Sequence, residues 1–431
     1  MMATIPFRFV HATQLLLDEP LAGLGLGLSG EPRRLAEDAT LIAWNRIVDL
    51  CIDAQAEFLL LTGNAFHHAS GSLRARVALE RGFEKLDSQH VNVFIVSGPM
   101  DPVEVWNREF KLPSNVTVLA DEHEAPIVIE RDGEAVASIR VIASAQSDEA
   151  NWSAQGPAAF EEVDAPFHIG LVGAGSPVRW ESGIPEPVAR PDVPRAAATL
   201  VQAAIGSGIH YLALGEGRRG TYPLRGGTAH DPGVVQSLSR QITGPCGVAV
   251  VDVDVHGKIR TAPSTVAPVR WEALGVELNA DDTWDDLVEK MALTLIEREP
   301  DSDDEMWIIR WTVRGTGKVF DALAEPKSQR ELWELLEAEV AEHHATRRVH
   351  QLFREAMWDQ LFAASEETLG QTFMELMEQE STGLVREVQR ELLEGDWADP
   401  AKRRVMTKFV ETTPAHTVVS QARTAGMAWL T

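Results

Sequence analysis

The chain has 431 residues, of which 44% are hydrophobic, and a formal net charge of −26 at pH 7. Its length favours two or three domains over one small core. The charge argues against a surface that coats nucleic acid, because binding phosphates needs clustered Lys and Arg, although a local basic groove remains compatible with it.

Cysteine use and hydropathy indicate the compartment. Cys51 and Cys246 lie far apart in apolar surroundings, and we expect buried free thiols, which fit a reducing cytoplasm. Residues 1–10 lack a basic flank followed by a long apolar run, and no stretch reaches the length of a membrane span. The sequence therefore predicts a soluble, cytoplasmic protein.

The first hundred residues alternate between two hydrophobic periods. Strands are predicted at 7–11, 58–62 and 91–96, and helical spacing runs through 31–57 and 72–88. Each strand ends at a loop with polar residues. This pattern predicts an α/β layered fold whose site lies at the carboxyl ends of the strands.

The pattern continues as far as residue 254. Further strands are predicted at 116–119, 127–130, 138–143, 167–173 and from His210, with 247–254 as the last strand of the sheet and His256-Gly257 as its turn. Pro and Gly crowd residues 175–194, which we interpret as a long surface loop. A helix is predicted at about 195–207.

The composition shifts beyond Trp271. A helix at 283–297, an acidic linker at 301–305, a strand at 306–313 and a helix at 328–344 are predicted. The last 80 or so residues are predicted to be helical, because apolar residues recur at helical spacing in two stripes. These are Val349, Leu352, Phe353, Ala356 and Leu361, then Leu369, Phe373, Leu376, Met377, Leu384, Val388 and Leu392. Such stripes fit an internal core or a helix that docks in a partner's groove.

Short motifs follow the strand ends in a fixed order. They are Leu61-Thr62-Gly63-Asn64, Gly98-Pro99-Met100-Asp101, Val172-Gly173, Gly215-Glu216-Gly217-Arg218, His230-Asp231-Pro232-Gly233 and Gly244-Pro245-Cys246-Gly247. With Phe9-Val10-His11-Ala12, Asp18-Glu19-Pro20-Leu21 and Val269-Arg270-Trp271, this order resembles calcineurin-like metallophosphoesterases of the SbcD/YhaO DNA-repair exonuclease type. The resemblance covers about residues 5–275 and continues more loosely to the C-terminus.

The resemblance implies a fold and partners. Residues 1–271 would form a four-layer metallophosphoesterase sandwich, two mixed β-sheets flanked by helices. Residues 272–345 would form a small α/β capping domain, and 346–431 a helical region that docks on the coiled-coil base of an SMC-like ATPase. Members of the family are often dimers, which here would use the helices at 31–57 and 72–88. DNA would be bound, if at all, through the complex.

The resemblance also locates the ligands of the family's metal pair, and this chain has replaced them. The replacements are Gln14 and Leu16 in the first motif, Asn64 in the second, Pro99 and Met100 in the third, Gly173 in the fourth, and Glu216 and Arg218 in the fifth. Manganese-type ions in two-metal sites need carboxylate and imidazole ligands. We therefore expect no metal pair, no other cofactor and no catalytic residue at these positions.

The replacements form a coherent set. Gln14 and Asn64 keep a similar size without a charge that would be unfavourable when buried, and Arg218 could pair with Glu216 or Asp101. The former site would then be a structural polar cluster. His11 is interpreted as structural packing near it, and His67-His68 and His343-His344 as solvated surface residues.

Two functions remain open. The first is a non-catalytic pseudo-nuclease subunit that acts as scaffold or regulator with an SMC-like ATPase in DNA repair or defence. The alternative is an active metal-dependent exonuclease or phosphoesterase with Mn²⁺ in a replacement site. The residues of that site would be Asp18, Asp101, His230 and Asp231.

Overall fold

The computed structural model describes residues 4–24, 28–120, 125–143, 163–175, 178–181, 184–187, 208–224, 226–341 and 346–356. Beyond these it describes only scattered helical positions between 373 and 422, the longest run being 385–392. The chain separates into two compact units. One comprises Met1–Glu272, Pro300–Ile308 and Thr346–Val349, and the other Ala273–Glu299, Ile309–Ala345 and His350–Thr431.

A six-stranded sheet in the first unit carries the predicted strands of the N-terminal half. Its order is β14-β13-β1-β2-β3-β4. The strands are β1 (Phe7–Thr13), β2 (Phe58–Thr62), β3 (Asn92–Val96), β4 (Val116–Leu119), β13 (Gly247–Val253) and β14 (Ile259–Thr265). Strands β1 to β4 are parallel, whereas β13 runs antiparallel to both β1 and β14.

A second six-stranded sheet has the order β11-β12-β10-β7-β6-β5. Its strands are β5 (Ile127–Arg131), β6 (Glu134–Ala143), β7 (His168–Val172), β10 (Tyr211–Leu214), β11 (Gly220–Leu224) and β12 (Gly227–Asp231). The four inner strands are parallel and the two edge pairs antiparallel. The predicted pair of mixed sheets is therefore confirmed.

Burial on both faces explains why β1 is mostly apolar after the exposed Arg8. Phe7 and Phe9 face the second sheet in a cluster with Phe58 and Tyr211. Val10 and Ala12 have the opposite parity and face the helices, because side chains alternate along a strand. The helices on that face are α1 (Gly30–Asp53), α2 (Leu73–Ser88) and α3 (Val103–Glu109).

The elements after residue 268 include a small three-stranded sheet of order β15-β16-β17. Its strands are β15 (Val269–Leu278), β16 (Met306–Gly315) and β17 (Arg347–Ala356), and the helices are α4 (Trp284–Ile296), α5 (Lys318–Ala322) and α6 (Pro326–Glu339). Helix α4 begins at a capping box in which Thr283 and Asp286 bind each other's backbone amides. Helices α4 and α6 pack against each other.

The predicted helical character of the whole segment 346–431 is wrong at its start, because residues 347–356 form strand β17. Most of this strand is half-buried, so apolar residues occupy both parities, as with Leu352 and Phe353. When both faces of a strand are partly buried, its apolar residues can fall at helical spacing over a short window. Apart from the scattered helical positions, the prediction for 357–431 falls outside the described residues.

Two further predictions need correction. Residues 178–187, expected to be loop, include the antiparallel strands β8 (Val178–Glu181) and β9 (Ile184–Pro187). The strand ending at Val253 is not the last of its sheet, since β14 follows it across the turn. Within the predicted acidic linker, Asp304 is buried and accepts hydrogen bonds from Arg270 and from the Trp307 indole. The helix predicted at 195–207 lies outside the described residues.

Within the part of the chain that the structure describes, no helix combines the length and the apolar character needed to cross a bilayer.

Candidate functional site

The carboxyl ends of β1 and β2 meet that of β10 through a buried chain of hydrogen bonds. Thr62 Oγ1 donates to the Leu214 carbonyl at 3.1 Å, so it accepts from His11 Nε2 at 2.8 Å. His11 Nδ1 is left to accept from the Tyr211 hydroxyl at 2.9 Å. Burial holds the pKa of His11 well below its ordinary value, so the ring is neutral. His11 is thus structural, as predicted.

The side chains of Gln14 and Asn64, at positions where the resemblance implies metal ligands, lie immediately beyond this chain of hydrogen bonds and bind each other. Gln14 Nε2 donates to the Gly215 carbonyl at 2.8 Å, and Gln14 Oε1 accepts from Asn64 Nδ2 at 3.0 Å. Asn64 Oδ1 accepts from the Met100 amide at 3.0 Å. The two side-chain amides therefore connect the loops that follow four strands, and both of their oxygens already have a partner. We call this set the amide bridge.

Close backbone approach around the amide bridge depends on glycine. A Cβ atom on Gly63 would lie 2.7 Å from the Gly215 carbonyl oxygen. One on Gly217 would lie 2.8 Å from Gln14 Cγ. Both glycines also have positive φ angles, 115° and 76°, which side chains with a Cβ rarely adopt. The loops pack directly on one another at this point.

The loop after β1 winds through alternating left-handed residues. Gln14, Leu16 and Asp18 have φ angles of 53°, 45° and 61°. Its backbone pairs with the loop after β2, because the amides of Leu16 and Leu17 donate to the carbonyls of Asn64 and Ala65. Conformations of this kind cost about 1 kcal/mol or more per residue and persist where surrounding contacts hold them. The motif positions 14 and 16 are therefore fixed by backbone geometry.

The carboxyl group of Asp101, in the third motif, points towards backbone amides. It is fully buried, and its two oxygens accept from the amides of Ala65 at 3.0 Å and Gly98 at 2.9 Å. Burial raises the pKa of Asp101 to about 8, and the two amides only partly oppose that rise. Both carboxyl oxygens are thus engaged by backbone amides within the protein.

His230 and Asp231 lie on β12, near the loop after β10. Asp231 accepts from the amides of Arg218 at 3.0 Å and Gly233 at 2.9 Å, and burial raises its pKa to about 6. His230 Nδ1 lies 2.8 Å from Thr221 Oγ1, and burial lowers the pKa of His230 to about 4, helped by the charge of Arg219. Both residues thus serve the packing of the second sheet.

The alternative metal ligands do not come together. Asp18 binds the N-terminal turn of α2, where it accepts from Ser72 Oγ and pairs with Arg74 at 3.2 Å. A search of the described residues, which include all four candidates, finds no group of three or more His, Cys, Asp or Glu side chains placed to hold a metal ion.

The remaining motif positions have ordinary structural roles. Gly173 donates its amide to the Ala143 carbonyl, and Glu216 Oε1 accepts from the Gly175 amide at 3.1 Å. Pro99 and Met100 lie exposed at the surface. The Met100 carbonyl accepts from the amide of His68 at 3.0 Å and lies 2.6 Å from its Nδ1, so His68 is tied to the third motif rather than simply solvated.

Sequence reasoning missed two parts of this arrangement. The hydrogen bond of His11 to Tyr211 joins residues 200 positions apart, and no local pattern announces it. The Arg218 backbone amide binds Asp231, and Asp101 is held by the amides of Ala65 and Gly98, contacts that the expected pairing of Arg218 with Glu216 or Asp101 did not include. The signal available in the sequence was a polar residue, His11, between the apolar residues Val10 and Ala12.

Comparison with known proteins gives one distant curated relative. The chain is 24% identical over 355 residues to the uncharacterized metallophosphoesterase YhaO of Bacillus subtilis (strain 168). The match covers 78% of this chain and 82% of the relative. No protein-family model matches the sequence. The chain is therefore a remote relative of a metallophosphoesterase.

Two solved structures show weak overall similarity. TT1561 of Thermus thermophilus is 15% identical, with a TM-score of 0.36 over 60% of this chain and 99% of that one. GAP50, the anchor in the inner membrane complex of Plasmodium, is 9% identical, with a TM-score of 0.35 over 61% of this chain and 89% of that one. Similarity at this level carries no functional argument.

Proposed function

We propose that this chain is a non-catalytic protein built on a metallophosphoesterase-like sandwich, in which the amide bridge has replaced the two-metal site. The observation that carries the proposal is the pair of hydrogen bonds from Gln14 Nε2 to the Gly215 carbonyl and from Asn64 Nδ2 to Gln14 Oε1. With the bond from the Met100 amide to Asn64 Oδ1, they orient both side-chain oxygens towards N–H groups of the protein.

Electrostatics supports this proposal. Metals that bridge two sheets neutralise the carboxylates around them, and losing the metals while keeping the charges would be strongly unfavourable in a buried site. Neutral amides at positions 14 and 64 avoid that cost, and Asp101 accepts two backbone hydrogen bonds in a site that favours its neutral form, since its pKa is raised to about 8. Hydrogen bonds and packing would then hold the strand-end loops together in place of metal ions.

Incubation of the purified protein with linear duplex DNA and Mn²⁺ tests the absence of catalysis. We expect no products beyond those of a sample with excess chelator. The matched control is the double variant Asp101→Asn/Asp231→Asn. Cleavage by the native chain that this variant loses would overturn the proposal and favour the alternative, an Mn²⁺-dependent exonuclease or phosphoesterase that uses Asp18, Asp101, His230 and Asp231.

We further propose that the protein is cytoplasmic and serves as scaffold or regulator for an SMC-like coiled-coil ATPase in DNA repair or defence. Support comes from the strand-end resemblance and from the apolar stripes after residue 360, such as Leu369 and Leu376. DNA would be reached through that complex, and a homodimer through α1 and α2 is compatible with it.

Affinity purification from the native cells tests the partner. A chain that ends after Ala356 keeps β17, which a chain ending at 345 would lose. We expect an SMC-like ATPase to co-purify in stoichiometric amount with the whole chain and to be lost with the shortened one. Equal recovery with both would exclude docking through the C-terminal region.

A further inference from the structure

A groove of about 590 Å³ opens at the end of the first sheet that lies opposite the amide bridge. It forms where β1 begins, α1 ends and β13 turns into β14, and its lining includes Pro6, Phe7, Gln55, Lys258 and Arg260. The volume lies within the range of about 300–1,000 Å³ of small-molecule sites. The groove lies at the amino ends of the parallel strands, whereas the amide bridge lies at their carboxyl ends. Ligand binding in the groove would therefore be independent of the function proposed above.

The carboxylates that line the groove already have partners. Asp252 pairs with Arg8 Nε at 2.5 Å, and Glu57 pairs with Arg131. Asp254 Oδ1 accepts from the backbone amides of His256 at 2.8 Å and Lys258 at 3.0 Å. Their negative charge is therefore largely compensated by neighbouring groups.

Lys258 and Arg260, two positively charged residues of the groove, differ from its carboxylates in their partners. Among the described residues, neither Lys258 nor Arg260 has an ion pair of its own. Arg260 is the register partner of Asp252, on the side away from Arg8, so two guanidinium groups flank one carboxylate. Lys258 lies just before β14, Arg260 is the second residue of that strand, and both are exposed and line the groove. They place two positive charges together in a chain of net charge −26.

The rest of the groove is apolar or neutral. Pro6 and Ala54 line the groove, whereas the side chains of Phe7 and Val253, which border it, are buried in the core that faces the second sheet. The amide of Gln55 provides hydrogen-bonding capacity at the end of α1. Small-molecule sites combine an apolar lining with a few placed polar groups in this way.

We propose that the groove binds a phosphate monoester of mononucleotide size, with its phosphate between Lys258 and Arg260 and its apolar body against Pro6 and Ala54. The planar fork of an arginine matches phosphate oxygens in a bidentate manner, and a lysine supplies a compact second charge. Two such groups without ion pairs of their own suit an anion better than a cation.

Calorimetric titration of AMP at low ionic strength tests the proposal, with inorganic phosphate and adenosine as separate probes. The variant Lys258→Ala/Arg260→Ala should bind AMP at least tenfold more weakly. The control Arg34→Ala/Lys111→Ala removes the same charge at exposed positions outside the groove and should stay within twofold of the native chain. Gln55→Gly, which suits the φ angle of 53° at that position, should weaken AMP binding without loss of thermal stability.

Three results would overturn the proposal. They are no AMP binding by the native chain at millimolar concentration, equal weakening by the groove variant and its charge-matched control, and inorganic phosphate binding as tightly as AMP. Equally tight binding of inorganic phosphate would mean that the apolar lining contributes nothing to the affinity for AMP. Thermal denaturation of each variant distinguishes lost binding from lost folding.

Discussion

Asn64 Nδ2 donates a hydrogen bond to Gln14 Oε1 at 3.0 Å, which joins the side chains of two loops that follow neighbouring parallel strands and are already paired through their backbones. The strand-end resemblance places metal-ligating residues at both positions. Here Asn64 supplies one donor and one acceptor, both used within the protein. Two neutral side chains thus connect the strand-end loops at these positions.

Replacing Asn64 with Asp should destabilise the protein. The carboxylate cannot donate to Gln14 Oε1, and the side chain is only 8% exposed, so charge would be buried without a counter-ion. We expect a loss of about 1–3 kcal/mol in the free energy of unfolding, measured by chemical denaturation. Asn64→Ser, which keeps an uncharged group, should cost less than Asn64→Asp. Unchanged or higher stability of Asn64→Asp without metal would contradict a structural role for the amide bridge.

The stability contribution of Asp101 should depend on pH in the direction opposite to that of most carboxylates. Its folded pKa, about 8, lies above the ordinary value of 3.8, so the folded state holds the proton more tightly. The free energy of unfolding therefore falls as pH rises from about 4 to about 8, by up to roughly 1.4 kcal/mol per unit. Asp101→Asn removes this titration. Its destabilisation relative to the native chain should shrink between pH 5 and pH 9.

Asp254→Asn is the control for that experiment. Backbone hydrogen bonds hold the pKa of exposed Asp254 below 3.8, so both folded and unfolded states carry the charge throughout pH 5–9. The effect of this substitution should stay constant over the range. An Asp101→Asn effect equally independent of pH would show that Asp101 is ionised in the folded protein.

Alanine at Gly217 should test the close packing on Gln14. Gly217 and Gly71 both have positive φ angles, 76° and 62°, so alanine at either costs about 1 kcal/mol of backbone strain. A Cβ at Gly71 meets no atom within 4 Å, whereas one at Gly217 lies 2.8 Å from Gln14 Cγ. Gly217→Ala should therefore be the more destabilising in urea denaturation. Equal costs would mean that the loop relaxes freely.

Much of the fold could be predicted because its strands are short, apolar and separated by helices of clear period. The predicted limits of β2 match the structure, and those of β3 and α2 lie within one residue of it. Strand β17 could not be recognised, because its apolar residues occupy both faces. The edge strands β11 and β14 were hidden by glycine, proline and polar residues, which are tolerated where one side of a strand is open.

The site was accessible from the sequence only in part. Motif order located positions 14, 64 and 101, and their chemistry predicted a polar cluster. The partners could not be read off, because Gln14 binds a carbonyl 201 residues away and Asp101 binds backbone amides, which carry no sequence signature. Burial, which raises the pKa of Asp101, is likewise a property of the folded chain.

Calorimetric titration of Mn²⁺ into purified, chelator-stripped protein tests the central claim most directly. The amide bridge predicts no saturable binding from micromolar to low millimolar Mn²⁺. Two tightly bound equivalents per chain would contradict it. Their loss in Asp18→Asn, Asp101→Asn, His230→Gln or Asp231→Asn would then identify the ligands of a functioning metal centre.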